Sequence, residues 1–206
     1  TSITIPDSVT NIGGWTFTGC ASLTNITISD NITILETGTF RSCESLTNIT
    51  IPDSVTTIEK WVFDNCTSLT TVTIPDSVTS IGSVAFNACS SLKSVKIPKR
   101  VTSISYGMFR GCTGLTSITI PNGVTSIRGE AFEDCTSLKN VTIPDSVTSI
   151  GSNSFQKCYR LINVTFLGDA PKEWRDVFKY SAPTIYRKSE AKGWGDTWAE
   201  RPVKLI

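Results

Sequence analysis

Residues 69–91, with the sequence LTTVTIPDSVTSIGSVAFNACSS, contain the pattern that decides the fold. Around Val72, apolar residues alternate with threonine, which predicts a short strand with one buried face. Pro75 ends this strand because it has no N–H group to donate to a sheet. Phe86 and Cys89 are three residues apart, a spacing that favours a helical or 3₁₀ turn with both side chains on its inner side.

The same pattern recurs every 23 residues, so the chain is built from an internal repeat. Two of its columns continue without a slip, at Phe17, Phe40, Phe63, Phe86, Phe109, Phe132 and Phe155, and at Cys20, Cys43, Cys66, Cys89, Cys112, Cys135 and Cys158. A single turn cannot bury its own apolar face, but stacked turns bury one another's. The sequence therefore predicts a repeat solenoid, mostly β and irregular, with one short parallel strand per turn and short helical, 3₁₀ or extended return segments.

Residues 1–167 hold seven such turns and the strand of an eighth, and residues 168–206 are predicted to form a C-terminal cap. Within the cap we expect a short helix over Lys172–Phe178 with Trp174 and Phe178 on one face, a last strand over Ala182–Tyr186, and a second short helix from Ser189 to Gly193. Solenoids need their open ends shielded. We expect the last turn to be covered by Trp194, Trp198 and Leu205. An alternative is a platform for carbohydrate formed by Trp174, Trp194 and Trp198.

The composition excludes several classes of function. The net charge is +1, from 19 basic and 18 acidic residues, so nothing favours nucleic acid or an anionic membrane as a partner. No apolar run approaches the roughly 20 residues that span a bilayer, which argues against membrane insertion of this chain. Histidine is absent, which removes Ser-His-Asp and Cys-His catalysis and the commonest metal ligand. We therefore predict a protein that is not an enzyme and that uses no metal or cofactor.

The cysteine column allows two interpretations: a redox, metal or disulfide site, or a row of small buried hydrophobic residues. The seven cysteines are an odd number, and neither a Cys-x-x-Cys pair nor a histidine accompanies them. In a ladder their Cα–Cβ bonds run parallel, which does not suit the dihedral angle of a disulfide. We expect free thiols buried in the core.

The segment Ile74–Gly82, followed by Ala85, Phe86, Cys89 and Leu92, resembles the repeat of the BspA-like leucine-rich-repeat family. The closing segment is also similar to one found in that family, at Ala182–Tyr186 with Gly193 and Trp194. The resemblance implies a right-handed leucine-rich-repeat superhelix in a secreted or cell-surface protein. Such proteins adhere to host proteins such as fibronectin and fibrinogen, or to other cells. The family has no shared ligand-binding motif, so no site residue carries over.

Departures from the repeat indicate where a partner could bind. Basic residues collect in and near the fifth turn (residues 92–114), at Lys93, Lys96, Lys99, Arg100, Arg110 and Lys139. They are candidates for docking an acidic protein or a sulfated glycan, and neutral drift on a solvated surface is the alternative. Trp15 and Trp61 share a variable column that we expect to be at least half exposed. They are candidate interface anchors, unless they pack along the neighbouring return segment.

Other functions stay open at this point. The regular threonine columns suit an ice-binding or mineral-binding ladder, although Lys96 and the mixed Asn, Ser and Thr occupancy argue against it. A structural, self-assembling role is a further alternative. The chain starts within a repeat and without a signal peptide, so we expect either further turns upstream or an exposed core edge. The favoured prediction is a monomeric, extracellular protein-binding module that acts in adhesion.

Overall fold

The computed structural model describes residues 1–206 as a parallel β-solenoid of about eight turns. It contains no helix, and so none that could span a membrane. The predicted strand is present at the start of each turn except the fifth. In the fourth turn Val72 is buried while Thr71 and Thr73 are exposed, as the alternation predicts. These first strands are Ser2–Thr4 (β1), Asn25–Thr27 (β2), Asn48–Thr50 (β4), Thr71–Thr73 (β6), Ser117–Thr119 (β9), Asn140–Ile143 (β11) and Asn163–Phe166 (β13).

A second short strand follows the tight turn after the first strand in the second to eighth turns, and it was not predicted. These second strands are Ile34–Leu35 (β3), Thr57–Ile58 (β5), Ser80–Ile81 (β7), Ser103–Ile104 (β8), Ser126–Ile127 (β10), Ser149–Ile150 (β12) and Lys172–Glu173 (β14). The first strands of the repeats pair in parallel with residues 23 positions apart, as Asn48 does with Thr71, and the second strands follow the same rule, as Ser126 does with Ser149. Stacking in this register turns every sequence column into a ladder along the solenoid.

The return segment of each turn carries a third ladder of backbone hydrogen bonds. In the first turn the N–H groups of Trp15, Phe17 and Gly19 donate to carbonyl oxygens of the second turn at 2.8–2.9 Å. Equivalent bonds recur at every boundary up to the one joining Lys157 to Lys179. The columns of Trp15 and Gly19 have φ angles between 54° and 71° throughout. Left-handed residues interrupt any right-handed helix, so the return segments form successive turns and not helices.

The phenylalanine column forms a continuous stack through the core. Neighbouring rings from Phe17 to Phe178 have centroids 5.1–5.7 Å apart and lie within 27° of parallel. The eighth member, Phe178, keeps the 23-residue spacing but was missed in the sequence because the template around it differs. All these rings except that of Phe17 are buried. Burial of one such side chain contributes about 1.5–3 kcal/mol, so the stack is a main source of stability.

The cysteine column consists of free thiols, as predicted, and six of the seven are buried. Each buried thiol donates to the carbonyl oxygen of the phenylalanine 26 residues earlier, with sulfur–oxygen distances of 3.1–3.2 Å. In the eighth turn Ser181 donates to the Phe155 carbonyl in the same way, at 2.7 Å. The column therefore supplies a small side chain that gives a buried carbonyl group its hydrogen-bond partner.

The cap contains no helix, so the two helices predicted there are wrong. Lys172–Glu173 pairs with β12 as a strand and begins another return segment. Phe178 is buried in the stack whereas Trp174 is 55% exposed, so the two side chains do not share a face. The physical reason is that the left-handed positions recur here, at Asp176 and Tyr180. The stack crosses residue 167 without a break, and the division into solenoid and cap at that point stays a prediction.

Strands of the cap close the end of the solenoid. Thr184–Arg187 (β15) pairs in parallel with β13, which confirms the strand predicted over Ala182–Tyr186, although it is not the last one. Arg201–Leu205 (β17) pairs with β15, and Thr197–Trp198 (β16) folds back antiparallel on β17. At Ser189, where the second helix was predicted, the chain makes only a turn.

Two cap tryptophans cover the last turn, as predicted. The rings of Trp194 and Trp198 pack edge-on against Phe166, with centroids 4.8 and 5.1 Å from its centroid. Leu205 is 60% exposed and does not take part, which corrects its predicted role. Trp198 is only 7% exposed, whereas Trp174 is 55% exposed. The three tryptophans therefore do not form the carbohydrate platform considered from the sequence.

Candidate binding surface

Four of the predicted basic residues follow one another along the fifth turn and form what we call the basic strip: Lys93, Lys96, Lys99 and Arg100. All four are exposed. Val95 and Ile97 between them, and Val101 directly after them, are buried and anchor the strip to the core. The strip follows the fifth turn from its start to the tight turn at Lys99 and Arg100.

The charges of the strip are little compensated within the chain. Its one ion pair joins Lys96 Nζ to a carboxylate oxygen of Asp76 at 3.3 Å. Both side chains are more than half exposed, at 69% and 56%, so this pair contributes little to stability. The Lys93 ammonium lies close to Gly114, 3.3 Å from the position that a Cβ atom would occupy there. Most other turns have serine at the position of Gly114. Three of the four cations are thus available to a partner.

Arg100 replaces a serine that joins neighbouring turns elsewhere in the solenoid. Ser77 and Ser146 each donate to the carbonyl oxygen of a valine in the preceding turn, at 2.7 Å. A hydrogen bond of this kind contributes about 1 kcal/mol. The fifth turn therefore has the basic side chain of Arg100 at the position where Ser77 and Ser146 form a hydrogen bond between turns.

The strip lies at a break in strand pairing, which we call the seam (residues 94–105). The sheet of second strands ends at β7 and starts again at β8. No first strand forms in the fifth turn, where a single bridge leads to the sixth turn. The N–H group of Thr102 forms no hydrogen bond to the fourth turn, although Thr79 and Thr125 each donate to the preceding turn at 2.9 Å. Both sheets are therefore interrupted on the side where the basic strip lies, although the Ser105 hydroxyl still donates to the Ile81 carbonyl at 2.6 Å. The sheet of first strands has a second break, between β2 and β4.

The structure places Arg110 and Lys139 apart from the strip. Arg110 lies in the return segment, where it pairs with Glu130 at 3.1 Å and with Glu133 at 3.3 Å. Its charge is therefore compensated within the chain. Lys139 shares the column of Lys93 but lies two turns further along, about 10 Å away at the spacing of stacked strands.

Trp15 and Trp61 also lie in return segments, and they contact each other. Their ring centroids are 5.8 Å apart, although one turn separates them. The intervening position is Gly38, where a Cβ would overlap the Trp15 ring. Trp15 stays 45% exposed, and the Lys60 ammonium lies 4.8 Å from the Trp61 ring centroid. The pair packs along the return segments and is separate from the strip, and its role as an interface anchor stays a prediction.

The regular threonine columns have a structural role. The hydroxyl groups of Thr56, Thr79, Thr125 and Thr148 donate to the carbonyl oxygen of the threonine 23 residues earlier, at 3.2–3.4 Å. A second column does the same, as Thr70 does to Thr47 at 2.9 Å. These bonds tie neighbouring turns together, which explains the regularity of these two columns. The exposed threonines of the first strands, such as Thr50 and Thr73, make no such bond, and an ice-binding or mineral-binding ladder there stays an alternative.

The 23-residue turns, the parallel strands and the stacked core define a leucine-rich-repeat solenoid. The model of the BspA type leucine rich repeat region matches residues 1–116 and 102–181, with six copies. The chain belongs to this family. No curated protein matches it.

Similar solved structures come from bacteria. A leucine-rich repeat protein from Bacteroides ovatus ATCC 8483 is 26% identical with a TM-score of 0.81, over 100% of this chain and 61% of that protein. The T. pallidum leucine rich repeat protein is 29% identical with a TM-score of 0.71, over 78% of this chain and 77% of the other. A leucine rich cell surface protein from Faecalibacterium prausnitzii A2-165 is 28% identical with a TM-score of 0.59, over 80% and 59%. This chain thus spans about three fifths of the Bacteroides protein.

Proposed function

We propose that this chain is the binding part of a secreted or cell-surface protein and attaches it to proteins of a host or of other cells. The family and the Faecalibacterium relative named as a cell surface protein support a location outside the cell. Stacked turns offer a continuous surface of exposed polar side chains, which supports binding. The chain has no histidine, and its acidic residues lie largely on turns and in ion pairs, which supports a role without catalysis.

The basic strip carries this proposal and favours an acidic partner. Lys93, Lys99 and Arg100 are exposed, and none of them has an ion pair in the chain. Arg100 can bind a carboxylate through two parallel hydrogen bonds, which adds geometric selectivity to charge attraction. The strip lies on the seam, where both sheets are interrupted and regular hydrogen bonds between neighbouring turns are missing. We therefore place an acidic protein segment along the strip.

A sulfated glycan is the second candidate partner, and one observation favours it. The four cations lie within eight residues of the chain, and such a cluster of positive charge attracts a polyanion. Binding of that kind depends mainly on charge number and weakens strongly as salt rises.

The test is binding of the purified chain to immobilised fibronectin, fibrinogen and heparin, measured by biolayer interferometry. The variant changes the strip to the residues of the repeat template, as Lys93→Thr, Lys96→Thr, Lys99→Asp and Arg100→Ser. We expect the parent to bind at least one of these ligands and the variant to lose most of that binding. The variant should be at least as stable as the parent, and up to about 1 kcal/mol more stable, because Arg100→Ser restores the serine bond between turns.

A control variant makes the same change in net charge away from the strip, at exposed positions: Lys60→Thr, Arg160→Ser, Lys192→Thr and Lys204→Asp. We expect this control to keep the binding of the parent. Equal loss in both variants would show that only the total charge matters, and the proposed site would be wrong. Binding to heparin alone would favour the glycan over the protein partner.

A further inference from the structure

A groove that runs from the fifth turn to the eighth is bordered by two exposed aromatic side chains. Tyr106 and Trp174 are 44% and 55% exposed. They border an open groove of about 550 Å³ on the face of the second strands. The two residues lie in adjacent columns, three turns apart, which separates them by about 14 Å. The gap between the rings has room for a short oligosaccharide.

The floor of the groove is shaped by residues with small side chains. The Tyr106 ring packs over Gly129. Its nearest atoms would lie 3.6 Å from a Cβ atom at that glycine. At Gly151 a Cβ would collide with the backbone of the sixth turn, so the floor stays flat. Ser149 lies on the same floor and offers a hydroxyl group. The interaction with the nearby Glu130 carboxylate raises the pKa of Tyr106 to about 12.

The lining of the groove carries a positive charge. Arg128 is the charged residue among the lining residues, and the Glu130 carboxylate lies near the Tyr106 hydroxyl at one edge. The guanidinium group of Arg128 has one bond within the chain, from Nε to the Ser103 hydroxyl at 3.4 Å. Its other N–H groups are free to bind a ligand. The Lys172 ammonium, 5.1 Å from the Trp174 ring centroid, adds positive charge at one end.

We propose that this groove binds a glycan that carries a carboxylated sugar. The flat C–H faces of pyranose rings would stack on Trp174 and Tyr106, and the sugar carboxylate would pair with Arg128. Ser149 would hydrogen-bond sugar hydroxyl groups on the floor. Aromatic walls with a few fixed polar groups are what small-ligand sites usually offer. The site is on a different face from the basic strip and does not depend on it.

An acidic peptide is the competing ligand, and the groove favours it less. A peptide gains affinity from pockets for its side chains or from strand pairing. Here the floor is flat between the rings, and the second strands β10 and β12 already pair on both sides.

The experiment is isothermal titration calorimetry of the whole chain with 3′-sialyllactose, a glucuronic acid disaccharide, lactose and an acidic hexapeptide. We expect saturable binding of one or both carboxylated sugars and at least about tenfold weaker binding of lactose, since it lacks the charged group. The two carboxylated probes distinguish a sialic acid from a uronic acid. Binding of the hexapeptide alone, or of no sugar, would overturn the proposal.

Variants locate the ligand within the groove. Trp174→Ala and Arg128→Gln should each weaken binding of the carboxylated sugar at least about tenfold. Ser149→Ile should block the floor, and the fold tolerates it because Ile34 occupies the same column. Tyr159→Ala removes an equally exposed aromatic outside the groove and should leave the affinity unchanged. If Tyr159→Ala weakens binding as much as Trp174→Ala does, the sugar binds elsewhere.

Discussion

The return side and the strand side of the solenoid differ most where the fourth turn meets the fifth. On the return side the hydrogen-bond ladder crosses this boundary unchanged, from Phe86 to Met108 at 3.0 Å. The rings of Phe86 and Phe109 stack there at 5.7 Å, as at other boundaries. On the strand side neither sheet crosses it. At this boundary the hydrogen bonds and packing of the return side are thus regular, whereas the strand side departs from the repeat pattern.

The return side therefore supports the stability of the fold, whereas the strand side offers the surface that a partner could recognise. The return side holds the buried phenylalanine and cysteine columns, and small changes there alter the packing of neighbouring turns. The strand side exposes every second residue, so it can exchange Thr, Asp and Ser for Lys and Arg at little cost. The basic strip uses that freedom. We therefore expect substitutions to have unequal effects on the two sides.

The largest effect is expected from shortening the phenylalanine stack. Phe86→Ala removes a fully buried ring from its middle and should lower the free energy of unfolding by about 3–5 kcal/mol. Urea unfolding measured by circular dichroism would show it. Phe17→Ala is the matched control, because that ring is only partly buried and should cost less. Equal losses for the two would mean that the stack is not the main support.

The reactivity of the cysteine thiols should differ between the buried positions of the column and its one partly exposed position. Burial raises the pKa of Cys112 and Cys158 from 9.0 to about 12. At pH 8 their reactive thiolate fraction is then about a thousandfold lower than that of an ordinary thiol. Labelling with iodoacetamide followed by mass spectrometry should modify the partly exposed Cys20 first. Early labelling of Cys112 in the folded protein would contradict a continuous buried column.

The raised pKa values also set the pH dependence of stability. Above pH 9 the unfolded chain loses thiol protons that the folded chain keeps, so unfolding becomes easier as pH rises. The free energy of unfolding should therefore fall between pH 9 and about 12, and urea titrations across that range would measure the fall. The matched control is Cys112→Ser, which removes one contributing thiol while Ser181 shows that serine fits the column.

A smaller effect is expected at the tryptophan pair. Gly38→Ala places a Cβ into the Trp15 ring at a residue with a φ angle of 64°. It should cost about 1 kcal/mol or more and shift the tryptophan fluorescence, because Trp15 must leave Trp61. Gly13→Ala is the control, since a Cβ there meets Thr16 at an ordinary 3.7 Å. An unchanged spectrum for Gly38→Ala would argue against the contact.

The smallest effect compares two threonines of one column. Thr125 donates its hydroxyl to Thr102 at 3.2 Å, whereas Thr102 makes no such bond across the seam. Thr125→Val should therefore cost about 0.5–1.5 kcal/mol, and Thr102→Val clearly less. Thermal unfolding of the two variants would show the difference. If both changes lower the free energy of unfolding equally, the Thr102 hydroxyl also forms this hydrogen bond across the seam in solution.

The sequence predicted the parts of the fold that repeat with a strong period. The first strands and the columns of Phe86 and Cys89 were correct because their apolar residues alternate or recur 23 apart. The second strands are two residues long, as in Ser80–Ile81, and show no alternation. The Lys172–Phe178 helix was wrong because its two aromatics, four residues apart, imitate helical spacing. The left-handed φ angles that prevent a helix were hidden, since Trp61 and Glu130 occupy such positions without glycine.

The candidate surfaces were only partly visible in the sequence. The residues of the basic strip could be found because they replace template residues at exposed positions. The pairing of Arg110 with two glutamates could not, since it depends on side-chain directions between turns. Tyr106 and Trp174 are 68 residues apart, one short of three repeats, and this spacing was the signal that could have placed them on one groove.

Residue-resolved hydrogen exchange of the free protein tests the division between the two sides most directly. The amides of Phe86 and Phe109 on the return side should be protected, as should those of Thr79 and Thr125 on the strand side, because each donates a backbone hydrogen bond. The amide of Thr102 should exchange much faster than either threonine. Protection of Thr102 equal to that of Thr79 and Thr125, or a loss of protection at Phe86, would contradict the account.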